Sequence, residues 1–158
     1  MVLNNVDVEN RGRLQLKVPD VLGDMPSSWA LPCFPFTGIQ NGFYVVPEIS
    51  SPVWVEFEHG NPDLPVWTGC WFESVSDIPD LAKQTPPGVQ CLAIQTLTKN
   101  SILVSDQPGP TGGILLRLGT NAMISISSTG IVISNGQGAS IMLQGNSVII
   151  NNGALTIM

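Results

Sequence analysis

All ten aromatic side chains of this 158-residue chain lie at or before Phe72: four Trp, five Phe and Tyr44. No proline follows Pro110, and after Gly113 the only charged side chain is Arg117. The last 45 residues use mainly Ile, Leu, Val, Ser, Thr, Asn and Gly. One core of uniform chemistry cannot be drawn from such a chain. The front has bulky rings with which to fill an interior. The back has mainly small and branched side chains and no rings, so it must be built on a different plan.

The front reads as short strands separated by turns. Residues 13–18 alternate apolar and polar, the period of a half-buried strand. An apolar run covers 29–34, and Asn41-Gly42 is a turn signal before a candidate strand at 43–46. In 53–58, Val53, Val55 and Phe57 fall on one face and Glu56 and Glu58 on the other. Gly60-Asn-Pro-Asp63 is a turn, and 65–72 completes the set. Five strands in about 70 residues with frequent turns predict a small Greek-key barrel such as the OB-fold.

Residues 74–90 read as a connector, stiffened by Pro79 and the pair Pro86-Pro87 and too short for another folded domain. The back is repetitive. Candidate strands at 114–118, 123–127, 131–134, 140–143, 147–151 and 154–158 recur every seven to nine residues. Short internal periods point to a β-solenoid, although the Gly spacings do not fit a hexapeptide repeat. One apolar layer with no aromatics and no helix to cover it cannot make its own core, and its open edges invite aggregation. Winding around identical copies removes both problems. The expected fold is therefore all-β: an OB-fold barrel over 1–73, the connector, then a lead-in and needle over 91–158. The needle is expected to be an intertwined triple-stranded β-helix, a trimeric prism. Six strands per chain predict a needle of roughly 29 Å at about 4.8 Å per strand.

Acids outnumber bases 12 to 6, giving a formal charge of -6. Binding nucleic acid requires cations to displace phosphate counterions, so no nucleic-acid partner is expected. The start, Met1-Val-Leu-Asn-Asn-Val-Asp7, is polar and acidic, unlike a signal peptide, which predicts synthesis in the cytoplasm. Cys33, Cys70 and Cys91 are widely spaced with no Cys-x-x-Cys, so free thiols are expected.

Three segments carry a family resemblance. They are Asp7-Val-Glu-Asn-Arg-Gly-Arg-Leu-Gln-Leu-Lys-Val-Pro19, Ser28-Trp-Ala-Leu-Pro32, and Pro47-Glu-Ile-Ser-Ser-Pro-Val-Trp-Val-Glu-Phe-Glu58, continuing through Gly60-Asn-Pro-Asp-Leu-Pro-Val-Trp-Thr-Gly69. In order and spacing they resemble the OB-fold of contractile-tail central spikes. That group comprises the phage baseplate assembly protein V family, the T4-type baseplate spike and the valine-glycine repeat spike of type VI secretion. Thr98-Lys-Asn-Ser-Ile-Leu-Val-Ser-Asp-Gln-Pro-Gly109 resembles the lead-in to the family's β-helix. Val8 and Asn61 depart from the usual Pro and Asp. The resemblance implies a homotrimer in a virion tail baseplate or another injection-system particle (phage tail, tailocin or extracellular system). Its OB end would dock on a baseplate hub protein. Its narrow end would carry a PAAR-type tip protein and touch the target membrane transiently during puncturing. Some family spikes close with a His-x-His iron clamp; this chain ends Asn-Asn-Gly-Ala-Leu-Thr-Ile-Met158, so no metal is expected there.

Ile124, Ile126, Ile131, Ile133, Ile141, Leu143, Val148 and Ile150 are the expected trimer core. Leu155, Ile157 and Met158 are the expected tip platform, and Glu56 and Glu58 are candidate hub contacts. His59, the only histidine, falls in a turn with no nucleophile in sequence reach, and Glu56 and Glu58 read as solvated acids. No catalytic, cofactor or metal residue is expected, so the chain reads as a structural protein and not an enzyme. Trp29, Trp54 and Trp67 are assigned to a core or a subunit interface. The competing reading is an OB-fold binding module with a trimerising tail that recognises a host-surface ligand.

Overall fold

The computed structural model describes residues 1–157. The chain forms two compact units, Met1–Val75 and Ser76–Met158.

In the first unit, β1 (Val2–Asn4) pairs antiparallel with β2 (Gln15–Leu16), placing Val2 opposite Leu16. A bridge from Leu14 to Ala30 passes the ladder to β3 (Leu31–Pro32). A short helix α1 (Pro19–Leu22) lies between β2 and β3, with proline in its first turn, where the missing N–H costs nothing. β4 (Thr37–Gly38) and β5 (Asn41–Gly42) make a small hairpin turning at Ile39-Gln40. β6 (Val53–Phe57) pairs antiparallel with β7 (Pro65–Cys70), and β7 runs parallel to β3. The ring closes where the Val2 N–H donates to Ser51 O (3.0 Å) and the Ser50 N–H to Val2 O (2.9 Å). The circuit β1–β2–β3–β7–β6–β1 is a five-stranded closed barrel of the OB type.

The barrel's core is Val2, Leu14, Leu16, Ala30, Val53 and Trp67, with Phe34 and Val55 packed against it. Trp67 lies edge-on to Phe34, and its indole N–H donates to Gly12 O at 3.1 Å. The expected strand at 43–46 is replaced in the barrel by β1. Beyond one bond from the Phe43 N–H to Phe36 O, that stretch takes no ladder partner, and Phe43, Tyr44 and Val45 are exposed. Pro47 follows it directly and lacks the donor a ladder requires.

The second unit is dominated by one eight-stranded antiparallel meander. Its strands are β8 (Cys91–Gln95), β9 (Ser101–Ser105), β10 (Gly113–Arg117), β11 (Met123–Ser127), β12 (Gly130–Ser134), β13 (Ser140–Gln144), β14 (Ser147–Ile150) and β15 (Leu155–Ile157). Each strand pairs with its sequence neighbours. Two of the connections are two-residue hairpins, Ser128-Thr129 and Gly145-Asn146, which keep consecutive strands in one sheet. Consecutive strands thus pair with one another within the chain. The lead-in adds β8 and β9 to the six expected strands. Gly130, with φ +145°, begins β12 where a Cβ would collide with the Leu143 carbonyl, and Gly113 stands in the same way against Ile126. Gly138, Gly145 and Gly153 face open space and are positive-φ positions instead, so the glycine spacing follows local backbone needs.

Part of the expected connector forms α2 (Asp80–Lys83), whose Leu81 is buried and which touches β8. Asp80 pairs with Lys83 at 3.0 Å and with Lys99. No helix among the described residues is long and apolar enough to cross a membrane.

Candidate functional site: an apolar assembly face

Alternation along each strand of the meander sends two side chains per strand to one face. The pairing registers join these into two ladders. The first runs Leu92, Val104, Ile114, Ile126, Ile131, Leu143, Val148, Ile157. The second runs Ile94, Ile102, Leu116, Ile124, Ile133, Ile141, Ile150, Leu155. All sixteen are Ile, Leu or Val. Thirteen of them are 41–58% exposed and the other three are half-buried. The face dips into a depression of about 520 Å³ walled by Ile94, Ile102, Leu116, Ile124 and Ile133.

The opposite face has a different chemistry. Ser101, Ser105, Ser125, Ser127, Ser134, Ser140 and Ser147 stand on it, together with Arg117 and a central column that includes Leu103, Leu115 and Val132. Leu103, Ser101 and Ser105 are buried there, while Ile102 and Val104 on the first face are exposed. This places α2 over the serine side. Helix and hydroxyls deal with one side of the sheet; among the described residues of this unit, nothing covers the other. An uncovered apolar surface of this extent marks an interaction site.

The eight expected trimer-core residues, Ile124, Ile126, Ile131, Ile133, Ile141, Leu143, Val148 and Ile150, all lie on this face. Sequence reading missed its extension through Leu92, Ile94, Ile102, Val104, Ile114 and Leu116. Leu155 and Ile157, expected as a tip platform, continue the same two ladders on the edge strand β15. Met158, the third platform residue, lies outside the described residues.

In the first unit, Glu56 is exposed on β6. Glu58 falls beyond the strand, in a 3₁₀ turn with His59, whose φ is +53°. The two acids therefore do not share a strand face. Of the assigned tryptophans, Trp67 is in the core. Trp29 is half-buried beneath the Arg13 guanidinium, 5.6 Å from its ring. Trp54 is exposed and leans on Trp71, ring centres 4.8 Å apart.

One charge cluster is built into the barrel. The Asp7 carboxylate is buried and takes the Arg13 side chain at 2.7 and 3.1 Å and the Arg11 and Glu9 N–H groups at 2.9 and 3.1 Å. The Arg13 guanidinium first, and the backbone donors after it, hold this carboxyl far below the usual carboxylate range against the opposing effect of burial. This clamp fixes the loop between β1 and β2. Asp80 is lowered to about 2 by Lys99 and then Lys83. Burial pushes the Cys70 thiol up. Cys33, Cys70 and Cys91 are all free and exposed. Among the described residues, no group of three or more His, Cys, Asp or Glu side chains could hold a metal ion.

No curated protein matches the chain. Two family matches cover most of its length. Residues 1–72 match the type VI secretion system/phage-baseplate injector OB domain. Residues 91–156 match the phage baseplate V C-terminal trimerisation domain, and this stretch contains fifteen of the sixteen ladder residues. A barrel of the injector type followed by a sheet whose apolar face requires partners is the order of parts in that group, and the chain belongs to the phage baseplate V family of injector spikes.

Proposed function

We propose that this baseplate spike acts as the force-transmitting needle of a contractile injection machine, driven through the target envelope by contraction. The observation that carries the reading is the pair of unbroken apolar ladders. The matched trimerisation domain supports a homotrimer, and the eight core residues named above, with their neighbours on the ladders, would line its axis.

Because each sheet is a complete meander, each chain forms one wall of a three-sided prism. The dimensions agree. A five-residue strand spans about 17 Å at about 3.4 Å per residue. A triangular tube of that side places each wall about 5 Å from the axis, half the usual 10 Å between packed sheets. Eight strands give a needle of roughly 38 Å, longer than six strands would make. The outward face would be serine-rich, with Arg117 its one charge from β10 onward. Such a surface has little charge to desolvate on entering a bilayer, one Arg117 per chain, which supports transient membrane contact.

At the barrel end the proposed partner is a baseplate hub protein, with Glu56 and Glu58 as candidate contacts. At the other end Leu155, Ile157 and Met158 would seat a PAAR-type tip protein, since an open edge strand invites pairing. Catalysis has no part in this role: the family is one of structural baseplate and spike proteins, and His59 sits in an exposed turn.

The deciding experiment is native mass spectrometry of the purified chain, followed by density of the assembled particle. A trimer is expected, with a three-walled needle near 38 Å and extra density beyond Met158. A folded monomer would sink the trimer, and density ending at the last residue would remove the tip protein. Peptidoglycan cleavage by the purified trimer, lost on changing Glu56 or Glu58, would overturn the non-enzymatic role.

A further inference from the structure

The lateral edges of each sheet are left unused by the ladders. Residues around a threefold axis meet their own copies, as the ladders would. An edge lies away from the axis, and the same rotation brings it against the opposite edge of the neighbouring wall. Alternate turns of a meander fall on opposite edges. One edge carries the connections 96–100, 118–122, 135–139 and 151–154, and the other carries 106–112, 128–129 and 145–146. From Ser76 onward the chain has six charged side chains: Asp77, Asp80, Lys83, Lys99, Asp106 and Arg117. Asp80 holds both lysines, and Asp77 takes the Ser76 hydroxyl at 3.3 Å. Among the described residues, the side chains of Asp106 and Arg117 have no partner.

We infer that Arg117 of one protomer pairs with Asp106 of the next, so that three ion pairs clasp the corners of the prism. This rests on the trimeric reading above. The two residues stand on opposite edges of one wall. Arg117 ends β10, and Asp106 follows the far end of β9, so a strand length of about 17 Å keeps them apart within a chain. The Asp106 N–H donates to Gln90 O at 3.1 Å, which extends the β8–β9 ladder by one pair. Alternation then turns its carboxylate to the side of Val104, and it borders a hollow with Leu92 and Val104 of the first ladder. A carboxylate at the margin of a face that neighbours bury requires a cation there. Arg117, half-buried on β10, is the unpaired cation, and it stands at the edge that the rotation delivers. β9 and β10 are one strand step apart, about 4.8 Å, which the long arginine side chain spans. Charge complementarity therefore commits the partner to a second copy of this chain.

The test uses the full chain carrying Arg117→Lys. Native mass is measured first, and a zero-length carbodiimide then joins amines to the carboxylates they touch. The expected product is a covalent trimer on a denaturing gel, in which digestion finds position 117 joined to Asp106. Adding Asp106→Asn should remove it. A native trimer with no such product, or with position 117 joined to another carboxylate, overturns the pair and leaves the needle standing. So does a link confined to single chains. In the unmodified background, Asp106→Arg should raise the trimer dissociation constant on the order of tenfold, and adding Arg117→Asp should recover it. An unchanged constant in the single variant, or no recovery in the double, also overturns the pair. A monomer would overturn pair and needle together.

Discussion

The barrel unit buries Val2, Leu14, Leu16, Ala30, Val53 and Trp67 inside a closed ring of strands, whereas among the described residues of the sheet unit only Leu81 and Leu103 are buried apolar side chains. The sheet has more branched apolar residues than the barrel, but it presents them outward in two rows. Both units are built from short strands. What separates them is closure. A ring that returns on itself makes an inside, and an open meander makes two outsides, one of which must find cover. Self-sufficiency in this protein is thus a property of topology more than of composition.

That contrast can be broken from either side. The largest effect is expected from Ile133→Asp, which puts three carboxylates on the axis of the proposed prism. Buried ions without partners cost several kcal/mol each, so native mass spectrometry should find monomers, while near-ultraviolet circular dichroism from the barrel tryptophans persists. A surviving trimer would mean the ladders are not the interface. Next, Leu14→Ala should destabilise the barrel by about 2–5 kcal/mol, read as a lower denaturation midpoint, with little change in trimer mass.

A smaller effect should come from acid. The Asp7 carboxyl titrates far lower in the folded barrel than in the unfolded chain. Its contribution is therefore fully present above the ordinary carboxylate range and is lost as pH falls from about 4 toward the folded value. Barrel stability should drop through that window, and Asp7→Asn should flatten the dependence while lowering stability at neutral pH. An unchanged acid profile would show that the clamp does not set it. The smallest effect is expected for Lys99→Ala. The Asp80 pairs are surface-exposed and screened by salt, so the denaturation midpoint should hardly move. Faster amide exchange in α2 would be the only visible sign.

Much of the sheet could be read directly. In β11, Ile124 and Ile126 alternate with Ser125 and Ser127, which gave the strand and its apolar face together. β8 and β9 escaped for a physical reason. α2 touches β8, and Ala93 and Leu103 on the serine side are apolar as well, so the period-two signal disappears in Leu92-Ala-Ile94 and Ile102-Leu-Val104. β1 is three residues long and carries no pattern; it is a strand because the barrel needs Val2. The stretch from Phe43 to Val46 has the composition of a strand but no partner, and partners are not written in a local sequence. The inward face was legible at eight of its sixteen positions for the same reasons. The chain's own meander was not, because composition cannot tell a strand paired to its neighbour from one paired to another copy.

The ladders have a consequence for how the three walls of the proposed prism would find their alignment. Their rungs are nearly alike: Ile, Leu or Val at every step from Leu92 to Ile157. Sliding one wall past another by two strands, about 9.6 Å at 4.8 Å per strand, exchanges one branched side chain for another and changes little in contact. Such a face supplies adhesion without an address. Correct alignment has to come from features that occur once along the sheet, and these sit at its beginning: α2 at β8, and the barrel that precedes it in the chain. The proposed needle would in this sense be a ruler with no marks, zeroed where the sheet begins.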